Sequence, residues 1–263
     1  MTSYGFATAL DLPGVRRRSF RLETLPAAWD GLRMLQISDV HAGPYMGVER
    51  MMRLKDLAQS LEPDLIVFTG DQMDRRESDA DLFAEGFAGI EAPMGVFGIL
   101  GNHDHFIDPA LSEQALRAAG IEPLVNRGVV FDRNGSTIAL IGVEDLSARP
   151  GRPLDFSVIS RHPTSFRICL SHQPQSWHRA AAAGAHLTLA GHTHGGQIAL
   201  TGRHLNVARL STRYIAGPYR REENYLYVSR GVGVGAVPVR VGAPPEIDLL
   251  TLRSAVASLS AVA

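Results

Sequence analysis

Two histidines one residue apart, His192 and His194, stand in the stretch GHTHGGQ (191–197) with glycine on both sides. A buried histidine needs only one hydrogen-bond partner and packing, and an exposed one needs neither. The pair together with its glycines therefore points to ring nitrogens gathered as metal ligands. Gly191, Gly195 and Gly196 allow unusual dihedrals and a close approach to an ion or ligand. An H-x-H pair is common, however, so the other donors must come from elsewhere in the chain.

Four further polar clusters supply them: SDVH (38–41), GDQMD (70–74), GNHDH (101–105) and SHQP (171–174). The candidate ligands are then Asp39, His41, Asp71, Asn102, His172, His192 and His194. Mixed carboxylate, amide and imidazole donors suit Mn, Fe or Zn, whereas a cysteine-rich set suits structural zinc and an all-oxygen set calcium or magnesium. Seven donors exceed what one ion needs. A carboxylate bridging two ions about 3.5–4 Å apart accounts for the number, and such pairs clamp the attacking and leaving oxygens of an in-line phosphoryl displacement.

The clusters follow apolar runs of strand length: 32–38, 64–70, 96–101, 166–171 and 187–191, with a further run at 137–143. Met51, Leu54, Leu57, Ala58 and Leu61, then Leu111, Ala115, Leu116 and Ala119, recur at the spacing of one helix face. Strands alternating with helices imply parallel pairing, and the carboxyl ends of parallel strands are where open α/β folds place ligands. Unpaired polar groups at every strand end would be costly, and a shared cation removes that cost. An Asn-Gly turn in RNGST (133–137) predicts a hairpin. The later segments QIAL, YLYVSRG and EIDLLTL carry strand character without intervening helices and suggest a second, more antiparallel sheet. The expected fold class is α/β, with two packed mixed β-sheets flanked by helices (an α/β/β/α sandwich) in one domain. Residues 1–32 are read as an N-terminal extension and first edge segment, 33–252 as the domain, and 253–263 as a tail that frays or forms a weak helix.

With 263 residues, 45% of them hydrophobic, the chain can bury a large core. A formal charge of −1 gives no global basic excess, so no specific nucleic-acid partner is indicated. The single cysteine, Cys169, lies in the apolar run FRICL and reads as a small buried hydrophobe. Neither a signal-peptide core nor about 18 consecutive apolar residues is present, so the expected location is cytoplasmic, peripheral to the inner membrane at most.

The ordered set DVH (39–41), GDQMD (70–74), GNHD (101–104), SHQP and GHTH resembles the calcineurin-like metallophosphoesterase superfamily, over residues 33 to about 252. GHTHGGQ followed by YVSRGVG and GAPPEI is further similar to the bacterial branch of membrane-associated phosphodiesterases and UDP-diacylglucosamine diphosphatase-like proteins. The resemblance implies a phosphohydrolase that cleaves phosphodiester or pyrophosphate P–O bonds with two divalent ions and a bridging hydroxide. It gives one ion Asp39, His41, Asp71 and His194, and the other Asp71, Asn102, His172 and His192. His103 matches the residue that protonates the leaving group or steadies the phosphate. Asp74 and Asp104 match carboxylates that would orient imidazoles. The substrate implied is a phosphate ester, lipid-linked or nucleotide-linked; a UDP-2,3-diacylglucosamine diphosphatase is the alternative.

A non-catalytic metal-binding scaffold of the same fold would be expected to have lost ligands or His103, and none is missing. A metallopeptidase reading lacks its H-E-x-x-H. Arg75 and Arg76 follow GDQMD and are candidates for phosphate binding, with an exposed loop pair as the competing reading. Ser38 and Ser171 read as hydrogen-bonding residues, and His105, His162, His178, His186 and His204 as surface or core histidines. The segment SRGVGVGAVPVRVGAPP (229–245) is either a loop with valines exposed to acyl chains or a bilayer, or a buried strand pair with tight turns.

Overall fold

In the computed structural model, residues 11–197, 199–200, 205–206, 212–235 and 237–255 are described. The apolar runs form strands because their side chains are buried on both faces, which makes a strand read as continuous apolar sequence. LIVFT, strand β3 (Leu65–Thr69), is buried throughout. The first sheet contains β1 (Gly14–Leu22), β2 (Arg33–Ile37), β3, β4 (Val96–Ile99), β5 (Glu122–Pro123) and a long strand at Glu246–Ser254; β2 to β5 run parallel. The second contains β6 (Arg127–Arg133), β7 (Ser136–Gly142), β8 (Phe166–Leu170), β9 (Leu187–Ala190) and two strands at Gly217–Arg221 and Asn224–Val228. A separate two-stranded ribbon pairs β10 (Ala199–Leu200) with β11 (Leu205–Asn206), which makes the last three strands β12, β13 and β14.

The hairpin expected at Asn134-Gly135 joins β6 to β7. Two features differ from the sequence reading. EIDLLTL, as β14, joins the first sheet between β1 and β2. The second sheet is mainly parallel, β13, β9, β8 and β7 running together, with antiparallel strands only at its edges. Partner choice among strands distant in sequence is set by tertiary packing, which local pattern does not encode. Strand β14 also takes in Arg253 and Ser254, and residues 256–263 lie outside the described residues.

The sheets face each other across a core of Phe20, Met34, Val67, Leu140, Phe166, Leu187, Tyr227 and Leu250. On the outer face of the first sheet lie α1 (Val48–Ser60), α2 (Asp79–Phe87), α3 (Asn102–Ile107) and α4 (Pro109–Ala118). Met51, Leu54 and Phe83 pack there against Phe68 and Ile66. Asp108 caps α4, its side chain accepting from Ala110 N at 2.8 Å, with Pro109 at the first helical position. The second sheet is covered by α5 (Ser157–Ser160) and α6 (Trp177–Ala182), whose Val158, Ile159 and Ala180 meet Ala139, Ile141 and the fully buried Cys169. Each large side chain so buried contributes about 1.5–3 kcal/mol. The result is the α/β/β/α sandwich, and it aligns the carboxyl ends of β2, β3 and β4 with those of β8 and β9.

Candidate metal centre

All five polar clusters begin within two residues of these strand ends, and the loops that carry them are tied across the two sheets. His192 N donates to Asp39 Oδ1 at 3.0 Å, and His172 Nδ1 lies 2.8 Å from the Thr69 carbonyl of β3. The backbone is bent hard to do this. Asp39, His41, Asp71, His192 and His194 have φ between 49° and 71°. Left-handed backbone costs a non-glycine residue roughly 1–2 kcal/mol, and such conformations persist where the surroundings over-determine them, often at functional sites. Gly191 answers to close approach: a Cβ there would overlap Ser38 Oγ and Asp39 Oδ2.

The donors converge in three overlapping groups whose ligand atoms lie within 4.8 Å of one another: Asp39 with His41 and His194, Asp71 with His172 and His192, and, between these, His41 with Asp71 and His103. Asp71 stands between the first two, its Oδ2 3.7 Å from His41 Nε2 and 3.2 Å from His172 Nε2. His41 Nε2 and His194 Nε2 face each other at 3.1 Å, and Asp39 Oδ1 is 3.5 Å from the latter. All these residues except the half-buried His103 and His192 are buried. Asn102 Oδ1 and His172 Nε2 are buried with no hydrogen bond among the described residues. Buried lone pairs without partners are costly, and cations satisfy them. The residues therefore fit a metal centre.

Electrostatics tie the halves together. Burial pushes the Asp71 carboxyl up, but His172 and His41 outweigh it and hold it well below the usual carboxylate range. Burial likewise works against protonated His172, yet Asp71 carries it well above the usual histidine range. His194 goes the other way, pushed well down by burial, then by His41 and Arg240.

The sequence matches the calcineurin-like phosphoesterase family over residues 32–196. The chain belongs to the calcineurin-like phosphoesterase family. The family is one of metal-dependent hydrolases acting on phosphoester bonds. A relative from Danio rerio named "Transmembrane protein with metallophosphoesterase domain" is 32% identical, covering 96% of this chain and 60% of the relative, so the chain spans little more than half of that protein. "Phosphodiesterase YaeI" of Escherichia coli is 28% identical, covering 84% of this chain and 82% of its own. The solved structure of Thermus thermophilus sulfate thiohydrolase SoxB aligns with a TM-score of 0.51 at 12% identity, covering 87% of this chain and 57% of that one, a likeness of fold alone.

Within this phosphoesterase, His103 lies beside the ligand clusters, its ring centroid 4.6 Å from that of His41 and its Nδ1 2.6 Å from the Asp74 carbonyl. Asp74 Oδ1 is 3.5 Å from His41 Nδ1 and 3.6 Å from His103 Nδ1, close enough for electrostatic attraction but with no hydrogen bond to either ring. Asp104 does something else. It accepts backbone N–H bonds from Gly101 (2.8 Å), Gln72 (3.1 Å) and Met73 (3.2 Å), so it joins the GDQMD and GNHD loops and turns no ring. Burial and the nearby Asp71 push its carboxyl up to about 7. Arg75 and Arg76 are exposed, their backbone N–H groups held by Asp79 Oδ2 and the Arg75 guanidinium 3.8 Å from Asp74 Oδ1.

His105 is buried and bonded to Glu144 Oε1 at 2.7 Å, and Glu144 is held in turn by Arg152 Nε at 2.8 Å; this chain braces α3 against the end of β7. Ser38 Oγ donates to Asp39 Oδ2 at 2.5 Å, and Ser171 pairs with Ser176. His162, His178 and His186 bond to Val158 O, Tyr214 Oη and Arg167 N; His204 lies outside the described residues. Sequence reasoning missed Arg240 and Gln197. Gln197 Nε2 donates to the Gly235 and Val237 carbonyls, and Arg240 lies buried against His194. An arginine among valines and prolines offers no pattern that would reveal this. The GVGVG segment (231–235) forms a wall of the site: Val232 and Val234 are buried, whereas Val237 beyond it is exposed at 54% and Val239 and Val241 are half-buried.

Proposed function

We propose that this phosphoesterase cleaves phosphodiester or pyrophosphate P–O bonds with two divalent ions, Mn, Fe or Zn. One is held by Asp39, His41, Asp71 and His194, and the other by Asp71, Asn102, His172 and His192. The observation that carries this reading is the Asp71 carboxylate lying between two buried donor groups, with Asn102 Oδ1 and His172 Nε2 otherwise unpartnered. When bound, such a pair supplies Lewis acidity and an ionised water as nucleophile. His103 protonates the leaving oxygen. Its Nδ1 is held by the Asp74 carbonyl, which leaves Nε2 for the substrate, and its side chain keeps 19% exposure at the cleft. Asp74 keeps His41 and His103 in place, and Arg75 and Arg76 border the site as phosphate-binding candidates. The diester preference is supported by the likeness to the E. coli phosphodiesterase. Metal-stripped protein titrated with Mn should recover hydrolysis of bis(p-nitrophenyl) phosphate at about two ions per chain. Full activity at one ion per chain would contradict the assignment.

A lipid-linked ester, met by peripheral contact with a membrane, is supported by a second observation. Tyr45, Phe106, Leu146 and Val237 are exposed large apolar side chains. Phe106, on α3, has its ring centroid 5.6 Å from that of His103, while Tyr45, Leu146 and Val237 lie outside the helices and strands. Exposed apolar side chains of this kind suit acyl chains or a bilayer interface, and the Danio rerio relative is named a transmembrane protein. No helix among the described residues is long and apolar enough to cross a membrane. Phe106→Asp and Val237→Asp should weaken liposome binding while metal content stays constant. Unchanged partitioning of both variants would remove the membrane from the reading.

A further inference from the structure

Metal-bound histidines ordinarily donate their outer N–H to a carbonyl or carboxylate, which fixes the tautomer and raises the basicity of the ligating nitrogen. His172 follows this rule. The Thr69 carbonyl, 2.8 Å from Nδ1, can only accept, so Nδ1 carries a proton, and Nε2 faces the Asp71 carboxylate at 3.2 Å. His41 has the Asp74 carboxylate on its Nδ1 side at 3.5 Å. Behind His194 the arrangement is reversed: Nδ1 lies 3.1 Å from Arg240 Nη2. A guanidinium has only hydrogens to offer and keeps its charge in proteins.

We propose that Arg240 is a positioning residue of the metal centre, holding metal-free His194 in the tautomer with its proton on Nε2 and thereby weakening ion uptake in the His194 half. This rests on the two-ion assignment above. An ion entering at Nε2 displaces that proton, and the ring must take one up at Nδ1 through solvent, opposite a donor and a positive charge. The penalty offsets part of the attraction of Asp39 and Asp71, and an ion held against it is less neutralised by its ligands and the stronger Lewis acid.

Arg240 cannot swing away cheaply. Its side chain is fully buried, Nε donating to Gly233 O at 3.0 Å and Nη1 to Ala243 O at 3.1 Å, while the two hydrogens of Nη2 are shared among Arg230 O at 2.9 Å, Gly233 O and His194 Nδ1 at 3.1 Å. A buried charge stripped of its partners is strongly destabilising. The loop it fixes is itself part of the site: Val232 N donates to Ser38 O at 3.0 Å and Gly233 N to Asp39 O at 2.8 Å. A Cβ at Gly233 would overlap the Val40 carbonyl, so the loop lies directly on the D-V-H segment.

The test reads the rings and the ions, without substrate. In histidine-labelled, metal-free protein, nitrogen NMR should find His194 protonated at Nε2 and bare at Nδ1. His194 protonated at Nδ1 would overturn the proposal, and because the protein is wild type the result does not depend on a variant folding. In Arg240→Gln the amide oxygen can accept from Nδ1–H. Mn calorimetry should then show the binding event that His194→Ala removes becoming about 10–100-fold tighter, the other event staying unchanged. A merely structural role gives the opposite sign, so a weaker or unaltered event in folded Arg240→Gln would also overturn it. Failure of wild-type protein to bind Mn at all would instead strike the two-ion assignment, leaving the tautomer result to be judged by itself.

Discussion

His172 and His194 offer the same atom, Nε2, to one site from the ends of neighbouring strands β8 and β9, yet their surroundings are opposite. His172 is backed by a carbonyl and faces Asp71; His194 is backed by a guanidinium and faces His41. Burial acts against the charged form of both; at His172 the Asp71 carboxylate outweighs it, whereas at His194 the nearby His41 and Arg240 add to it. The contrast teaches that ligand type does not by itself set the character of a metal half-site. What stands behind each ring decides which nitrogen is available and how strongly it donates.

The sharpest way to break the comparison is to remove what the halves share. Asp71→Asn should lose both ions and bring hydrolysis below detection, as read by metal analysis and turnover. A variant retaining one half with full activity would show that Asp71 does not bridge. His103→Gln should leave both halves loaded and lower kcat by about 10²–10⁴ on an alkyl diester, with far less effect on a p-nitrophenyl ester, whose leaving group needs no proton. Equal losses on the two esters would take His103 out of the acid role. Gly191→Ala should act first on the Asp39 half. The new methyl meets Ser38 and Asp39, and overpacking of that kind costs about 1–3 kcal/mol. Urea unfolding should shift accordingly, with the Asp39 side losing its ion before the His172 side. Simultaneous loss from both would mean that the halves are not separable.

Much of the centre was legible because its chemistry is concentrated in short motifs after apolar runs. DVH, GDQMD, GNHDH, SHQP and GHTHGGQ each follow a strand end, and six of the seven donors found in them converge in the fold, while the seventh, Asn102, is buried with its Oδ1 unpartnered among the described residues. The layers were legible for the same reason: a run such as LIVFT can be buried on both faces only inside a sandwich. Strand β1 was harder to see, since GVRRRSFRL buries only Phe20 and Leu22 and leaves most of its arginines at a sheet edge, where charge discourages edge-to-edge pairing. The place of β14 was hidden because its partners, β1 and β2, lie more than 200 residues away. Arg240 and the turn of Asp104 toward backbone N–H groups were invisible because a motif names a residue without saying what its neighbours will be.

The most direct test of the two-ion assignment is electron paramagnetic resonance of the chain loaded with two Mn ions. With Asp71 bridging, the expected spectrum is that of a spin-coupled pair, collapsing when Asp71 is changed to Asn. Signals of isolated Mn ions in the wild-type chain at full loading would contradict a shared carboxylate and the dinuclear chemistry built on it.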